Sequence, residues 1–391
     1  MKFSHTRIFF IIFSLLAQVT DLFAQVSEVE VRGYWNTYLN QLNVAECSVV
    51  ADSSTTITFS LLDNSGSVLV SESYALPGHG TVNISINALG GPNLADRYGT
   101  FTARASAKIY CHTAVYRLSA SGSMKPVEYA YSMPTSTELR GMSYGVFNSI
   151  NPAARAQAVY NWFSLVNLSN EPFRATIVLN GLAGEPLAEI HSGTLSPGER
   201  QDYPMGHDRG QIVGLYRVIP ENNQLAYAAF SIRYNPDEDR FSFAFPVKNL
   251  TPSCDPGPVP ASTMGPADNW GEVANINPEA REFLAEVRDQ TGAMLHEERF
   301  TLLPYAQRHF PLHHWLGLNN LGSLRVRCVG SEDGGVYVQS LYYGHLAAGD
   351  PAIEWAYASQ ASGRRIEAGD TVATTINTFF GARNWAKFHE Q

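Results

Sequence analysis

Residues 58–66 of this 391-residue chain read TFSLLDNSG, and a Leu-Pro corner follows at residues 76–77. The same succession of a strand-like run, a turn with glycine, a second run and a Leu-Pro or Leu-x-Pro corner returns twice. It spans residues 176–197 and again residues 284–304. A pattern that recurs about every 110 residues is typical of chains built from repeated structural units. The sequence therefore predicts one structural unit written three times.

Two further markers follow in the same order in every copy. A glycine opens a later strand, at Gly99, Gly214 and Gly322. Each copy then closes with an aromatic-Ala-aromatic motif, at residues 129–131, 243–245 and 355–357. Apolar and polar residues alternate within the copies, which is the pattern of strands with one buried face. Short alternating strands with frequent turns predict an immunoglobulin- or fibronectin-like β-sandwich in each copy.

These markers define a predicted domain organisation. We predict an all-β chain of three tandem β-sandwich repeats after a signal peptide. The repeats are expected at 25–134, 159–249 and 268–361, with linkers at 135–158 and 250–267 and a tail at 362–391. The second linker is dense in proline, which favours a semi-stiff spacer. The architecture resembles the tandem immunoglobulin-like repeats of secreted bacterial proteins, a resemblance that brings no functional residues with it.

The tail contains one more marker of the repeat. An Asn-Trp pair follows both predicted linkers, at Asn161 and Asn269, and returns in the tail at Asn384. One interpretation makes the tail another linker with the first strand of an absent unit, which would seek an exposed sheet edge. The alternative is a frayed tail.

The first 24 residues have the plan of a secretory signal peptide. Lys2 and Arg7 form a positive start, residues 8–17 are an apolar run, and Ala24 supplies a small residue at the cut. Such a run is too short for a membrane span, although an uncleaved anchor is the alternative. We expect an extracytoplasmic protein, periplasmic, at the cell surface or secreted, with no transmembrane segment in the mature chain.

Four cysteines are expected to form disulfides in an oxidising compartment. They are Cys47, Cys111, Cys254 and Cys328, and none has the CxxC spacing of a zinc site. The repeat favours the pairs Cys47–Cys111 and Cys254–Cys328, with free buried thiols as the alternative.

Composition limits the partners. The chain is 45% hydrophobic and only 16% charged, with a formal net charge of −9. Such an apolar fraction excludes a disordered chain, and the acidic balance argues against a polybasic nucleic-acid binder. We expect a protein or cell-surface partner, with glycan as an alternative and nucleic acid excluded.

One motif matches a catalytic pattern. Residues 141–145 read GMSYG, the G-x-S-x-G nucleophile elbow, which requires its serine on a turn between a strand and a helix. Here Ser143 falls in a predicted linker with no helix behind it. We therefore predict no catalytic residue, keeping a hydrolase as a minor alternative.

Two clusters raise the question of metal binding. His309, His313 and His314 could offer two imidazoles on a helical face, but the repeat places them on a strand, where such spacing is about 13 Å. The acidic residues 237–239 could hold calcium, but a solvated hairpin tip is favoured. No metal and no cofactor are predicted.

Aromatic residues suggest a ligand surface. The aromatic-Ala-aromatic positions recur in every copy, which indicates core packing. The candidates for ligand contact are the non-repeated Tyr34, Trp35, Trp315, Tyr342 and Tyr343. The leading functional hypothesis is a non-enzymatic adhesion, structural or protein-interaction scaffold. The alternative is a carbohydrate-binding accessory protein that uses these rings.

Overall fold

A computed structural model describes residues 28–119, 127–153, 155–236, 242–330, 333–345, 347, 349–350 and 353–361. The predicted signal peptide, the acidic cluster at 237–239 and the tail at 362–391 lie outside these residues. Strands form most of the described chain. We call their three consecutive groups of eight unit 1, unit 2 and unit 3.

Unit 1 contains β1 (Val29–Asn36), β2 (Gln41–Val49), β3 (Thr55–Asp63), β4 (Val68–Leu76), β5 (Thr81–Ser85), β6 (Tyr98–Ala105), β7 (Ile109–Leu118) and β8 (Val127–Pro134). Unit 2 contains β9 (Ser143–Asn148), β10 (Tyr160–Asn167), β11 (Ala175–Gly181), β12 (Pro186–His191), β13 (Arg200–Pro204), β14 (Val213–Pro220), β15 (Tyr227–Pro236) and β16 (Ser242–Lys248). Unit 3 contains β17 (Val259–Ser262), β18 (Ala267–Asn275), β19 (Arg281–Asp289), β20 (Met294–Leu302), β21 (Gln307–Pro311), β22 (Leu321–Cys328), β23 (Val336–His345) and β24 (Ile353–Gln360). Two short helices, α1 (Ile86–Gly90) and α2 (Leu312–Leu316), follow the fifth strands of units 1 and 3.

The strand order is the same in every unit. In unit 1 one antiparallel sheet has the order β1-β6-β3-β4 and the other β5-β2-β7-β8. Units 2 and 3 repeat both orders strand for strand. The prediction of an all-β chain of sandwich repeats is confirmed. Each unit has eight strands, one more than the roughly seven of a simple immunoglobulin domain.

Each unit buries the alternating apolar side chains of its two sheets. The core of unit 1 includes Trp35 and Phe101, that of unit 2 Phe163 and Tyr216, and that of unit 3 Phe283, all almost fully buried. Burying a side chain of this size stabilises a fold by about 1.5–3 kcal/mol.

The glycine marker has a packing reason. At the start of the sixth strand the chain pairs closely with the end of the third strand, and a side chain has no room there. A Cβ atom added at Gly99, Gly214 or Gly322 would lie 2.2, 1.9 or 2.2 Å from the carbonyl oxygen of Leu62, Asn180 or Arg288.

The segments expected to be linkers also supply strands. β9 lies within 135–158 and pairs along β14, while β17 lies within 250–267 and pairs along β22. Both are the first strand of a unit and occupy a sheet edge. They are short, and the polar and proline-rich residues around them hide the alternating pattern on which a strand prediction depends.

The cysteines form the two predicted disulfides, Cys47–Cys111 and Cys254–Cys328. The two bonds do not occupy equivalent places in the repeat. Cys47 and Cys111 face each other across β2 and β7, whereas Cys254 precedes β17 and bonds to the end of β22. Among the described residues no helix has the length and apolar character needed to cross a membrane.

Replacing Cys254 and Cys328 by serine is expected to lower the free energy of unfolding by about 2–4 kcal/mol, because the bond restricts a long loop in the unfolded chain. The two residues are 74 positions apart. Urea unfolding of the oxidised proteins measures the loss. A reductant should then destabilise the parent more than the double variant; equal stability of the oxidised parent and variant would contradict the prediction.

Candidate functional site: the junctions between units

Two apolar clusters lie outside the three cores and join consecutive units. In junction 1, Tyr129 and Tyr131 of β8, with Tyr34 of β1, pack against Phe230 and Ile232 of β15. The rings of Tyr34 and Phe230 are 4.2 Å apart between centroids. The outer face of a sheet in unit 2 is thus covered by unit 1.

Junction 2 has the same construction one unit further along the chain. Phe243 and Phe245 of β16, with Tyr144 of β9, pack against Leu341 and Tyr343 of β23. Each junction therefore places the first and last strands of one unit against the seventh strand of the next.

The aromatic-Ala-aromatic motif occupies one structural position in both junctions. Tyr131 lies opposite Val115 of the neighbouring strand, and Phe245 lies opposite Arg233 at the equivalent place. The aromatic residues of the motif are buried in units 1 and 2 as predicted, whereas Tyr357 of unit 3 is 38% exposed, contrary to the expectation for every copy. The aromatic side chains of units 1 and 2, however, pack against residues of the following unit. They therefore join two units and do not only fill the core of their own unit.

Arg200 is the charged centre of junction 1. It is the first residue of β13, and only 1% of its surface is exposed. Its guanidinium binds both carboxylate oxygens of Asp202 at 2.9 Å and donates to Ser164 Oγ at 3.1 Å. It also donates to the carbonyl oxygens of Trp35 and Gly99 in unit 1, at 3.1 and 3.0 Å.

These five bonds use all five N–H donors of the arginine side chain. The charge is neutralised within unit 2 by Asp202, while two of the bonds reach the backbone of unit 1. The guanidinium also lies 5.0 Å from the ring centre of Tyr98 and 5.4 Å from that of Phe230. Because a buried charge is tolerated only when it is fully paired, Arg200 fixes the position of unit 1 against unit 2.

A backbone contact repeats between units as well. The N–H of Arg200 donates to the Asn64 carbonyl at 2.8 Å, and the N–H of Gln307 donates to the Leu182 carbonyl at 2.9 Å. In both cases the hairpin after the third strand of one unit touches the corner before the fifth strand of the next.

The turn glycines of these hairpins face that corner. Gly66 and Gly184 have φ of 84° and 87°, and an added Cβ would lie 2.8 and 2.0 Å from the carbonyl oxygens of Pro197 and Pro304. The turn glycine and the proline corner, recognised in the sequence as markers of the repeat, are therefore in contact between units.

Junction 2 contains a buried carboxylate. Glu272 is 1% exposed and accepts hydrogen bonds from Asn148 Nδ2 of unit 2, at 2.7 Å, and from Gln339 Nε2. His309 Nε2 lies 3.6 Å from the same carboxylate. Polar groups of two units thus satisfy one buried acid, which ties the units together through a specific geometry.

A cavity of about 180 Å³ opens beside junction 1. It is lined by Tyr34, Phe230, Lys248 and residues of the ends of β8 and β24. Burial raises the pKa of the Tyr34 hydroxyl, which stays neutral. Its lining is mainly apolar, and its volume suits only a few water molecules or a small ligand.

The residues predicted to contact a ligand occupy different places. Tyr34 and Tyr343 are 4% and 5% exposed and lie in the two junctions. Trp35 is in the core of unit 1, where its indole N–H donates to the carbonyl oxygens of Leu62 and Thr100. Tyr342 is fully buried and stacks on Tyr357 at 4.1 Å.

Trp315 alone among the five candidates is partly accessible. It lies on α2 and stacks on His296 at 4.1 Å with an angle of 9° between the rings. Because one face of the Trp315 ring is covered by His296, only part of the ring surface is accessible to a ligand.

Ser143 is the first residue of β9 and is fully buried. Its hydroxyl oxygen contacts Tyr227 Oη at 2.7 Å and Asn249 Nδ2 at 3.0 Å. These contacts tie β9 to β15 and to the end of β16. The fully buried Ser143 hydroxyl is therefore a structural bridge between strands.

The three histidines do not share one strand, contrary to expectation. His309 lies on β21, whereas His313 and His314 lie on α2, because the chain turns into a helix at Leu312. His313 Nδ1 is 3.0 Å from the Asn269 carbonyl. Within the described ranges no group of three or more histidine, cysteine or acidic side chains could hold a metal ion.

Arg200 and Glu272 were not predicted from the sequence. Arg200 aligns with Gln307 in the repeat, since both oppose equivalent residues of the second strand. A charge present in one copy carries no periodic signal, and a charged residue on a strand is ordinarily solvated. Only its position next to the Leu-x-Pro corner offered a clue.

No family model and no curated protein matches this chain. Among solved structures, a β-glucuronidase from Ruminococcus gnavus is similar at 10% identity and a TM-score of 0.15, over 59% of this chain and 39% of that enzyme. A member of glycosyl hydrolase family 2 from Bacteroides cellulosilyticus DSM 14838 is similar at 10% identity and a TM-score of 0.13, over 62% and 30% of the two chains. The chain thus spans about two fifths of the first of these proteins.

Proposed function

We propose that this protein is a non-enzymatic extracytoplasmic scaffold, a stiff series of β-sandwich units that serves adhesion or assembly. The observation that carries the proposal is the pair of buried junctions. Contacts between domains of one chain are ordinarily polar and permit relative motion. Here aromatic rings, a fully paired arginine and a buried glutamate hold consecutive units in one arrangement.

A fixed arrangement suits a protein that holds surfaces at set distances. Binding through several units loses less conformational entropy when the units are already positioned, and tandem units add multivalency. A flexible chain of independent domains would gain nothing from burying Arg200 or Glu272 between units.

The extracytoplasmic location is supported by two disulfides, which persist in oxidising compartments. The signal-peptide pattern of the first 24 residues agrees with it. The non-enzymatic part of the proposal is supported by Ser143, whose hydroxyl is enclosed between Tyr227 and Asn249.

The carbohydrate-binding alternative is weakened by the burial of four of its five aromatic residues. Sugar rings stack on accessible aromatic faces, and among those candidates only Trp315 offers part of one. Substituting alanine for Trp315 therefore tests the alternative directly.

The function is tested by binding the fluorescently labelled mature chain to whole cells of the organism that encodes it. Cells are left untreated, treated with periodate to destroy glycans, or treated with protease. The proposal predicts binding that survives periodate and is lost after protease. Binding lost after periodate, and reduced by Trp315→Ala, would support the glycan alternative. Absence of binding to any cells, or turnover of p-nitrophenyl ester and glycoside substrates, would contradict the proposal.

A further inference from the structure

Unit 3 presents the surface that units 1 and 2 use to hold their successors. Tyr357 lies opposite Tyr342 on the neighbouring strand, the register position of Tyr131 in unit 1 and Phe245 in unit 2. The Tyr342 hydroxyl of β23 donates to the Pro260 carbonyl of β17, so the first strand of unit 3 lies beside its seventh strand. We call Trp355, Tyr357 and β17 the third face.

The third face is less enclosed than its two counterparts. Tyr131 and Phe245 are 9% and 2% exposed, whereas Tyr357 is 38% exposed and Trp355 is half-buried. The rings of Trp355 and Tyr357 stack at 5.6 Å, as those of Phe243 and Phe245 do. The chemistry of a junction is therefore present on unit 3.

The hairpin of unit 3 shows the same difference. Gly66 and Gly184 each touch a corner of the following unit, but a Cβ added at Gly292 would meet open space. The side of unit 3 that a following unit would cover is thus open at the hairpin and only partly enclosed at the aromatic pair.

The sequence identifies an occupant within the same chain. The Asn-Trp pair begins 30 residues after Tyr131, 24 after Phe245 and 27 after Tyr357, at Asn161, Asn269 and Asn384. In unit 3 this tryptophan, Trp270, lies on the second strand and packs against junction 2. Residues 362–391 therefore carry the same Asn-Trp marker, and its distance from Tyr357 falls between the two earlier spacings.

We propose that residues 362–391 dock on the third face of their own chain, with Trp385 packed against Trp355 and Tyr357. A surface made of stacked aromatic rings favours an aromatic and apolar occupant, and the segment supplies Phe379, Phe380 and Trp385. Because residues 362–391 follow β24 in the same chain, their effective concentration at the third face exceeds that of a separate molecule.

Hydroxyl-radical footprinting of the mature chain tests the proposal. Oxidation of Trp355 and Tyr357 is compared in the full chain, in a chain that stops at Ala361, and in the point variant Trp385→Ala. Oxidation of Trp315, on another part of unit 3, is the internal control. Sedimentation at several protein concentrations gives the oligomeric state in the same samples.

The proposal predicts a several-fold rise in oxidation of Trp355 and Tyr357 in both variants, unchanged oxidation of Trp315, and a monomer throughout. Equal oxidation in the full and shortened chains would overturn it. Protection that appears only at high concentration, with a dimeric mass, would assign the third face to a second copy and would also overturn it. Because Trp385→Ala leaves units 1 to 3 intact in sequence, a folding failure of the shortened chain does not remove the test.

Discussion

Replacing Arg200 by alanine is expected to lower the free energy of unfolding of unit 1 by about 3–5 kcal/mol. This is the usual cost of removing one partner from a buried ion pair. The substitution leaves the Asp202 carboxylate without its bidentate partner. It also removes the hydrogen bonds that Arg200 donates to the carbonyl oxygens of Trp35 and Gly99. Urea unfolding followed through the fluorescence of Trp35 measures the loss, because that indole lies in the core of unit 1 next to the arginine.

Two matched variants control this experiment. Arg104 forms an exposed ion pair with Glu30 at 2.6 Å, so Arg104→Ala is expected to cost at most about 1 kcal/mol. Arg200→Lys keeps the charge but cannot supply five donors in a planar fork, and we expect a loss between those of the other two variants. If Arg200→Ala cost no more than Arg104→Ala, the assignment of Arg200 as the centre of junction 1 would be wrong.

Phe245→Ala is the second substitution with a large expected effect. The Phe245 ring is 2% exposed, stacks on Phe243 at 5.6 Å and lies 5.9 Å from the Arg233 guanidinium. Truncating a buried phenylalanine leaves a cavity and costs about 3–5 kcal/mol. Since the ring belongs to the interface between units 2 and 3, the loss should appear as earlier unfolding of unit 3, reported by Trp270.

The control for Phe245 is an aromatic residue of similar size outside any junction. Tyr38 is 43% exposed, so Tyr38→Ala is expected to change the free energy of unfolding by less than about 0.5 kcal/mol. Phe245→Ala together with Arg200→Ala should give additive losses, because the two residues act in separate junctions. A Phe245→Ala protein as stable as the Tyr38→Ala control would remove junction 2 as a stabilising interface.

Much of the fold could be predicted because the repeat is visible in the sequence as a recurring set of markers. The turn glycines, the Leu-Pro corners and the glycine of the sixth strand each answer a local steric demand, so every copy retains them. Gly99, for example, has backbone within 2.2 Å of an added Cβ. The alternation of apolar residues then follows from the two-residue period of a strand.

The junctions could not be predicted from the same signals. Alternation shows that Phe243 and Phe245 are buried but cannot show whether the covering sheet belongs to their own unit or to the next. The same ambiguity led us to expect Tyr34 and Tyr343 at a ligand surface, although each lies between units. Both residues contact another unit of the same chain. An aromatic side chain on the outer face of a sheet can be covered either by a ligand or by a neighbouring unit, and the sequence does not distinguish the two.

The edge strands β9 and β17 illustrate a second limit. Each lies at the edge of a four-stranded sheet, and β17 spans four residues, too few to display a period. Their identity as strands depends on the sheets that receive them, which is tertiary information.

We expect the junctions to make units 1, 2 and 3 one cooperative body. This expectation is tested most directly by urea unfolding of three full-length variants that keep a single tryptophan each, Trp35, Trp162 or Trp270, with phenylalanine at the other tryptophan positions. One cooperative body should give three superimposable transitions in the parent background and an earlier Trp35 transition once Arg200→Ala is added. Three separate transitions in the parent background, unaffected by Arg200→Ala, would show independent units and would contradict the account.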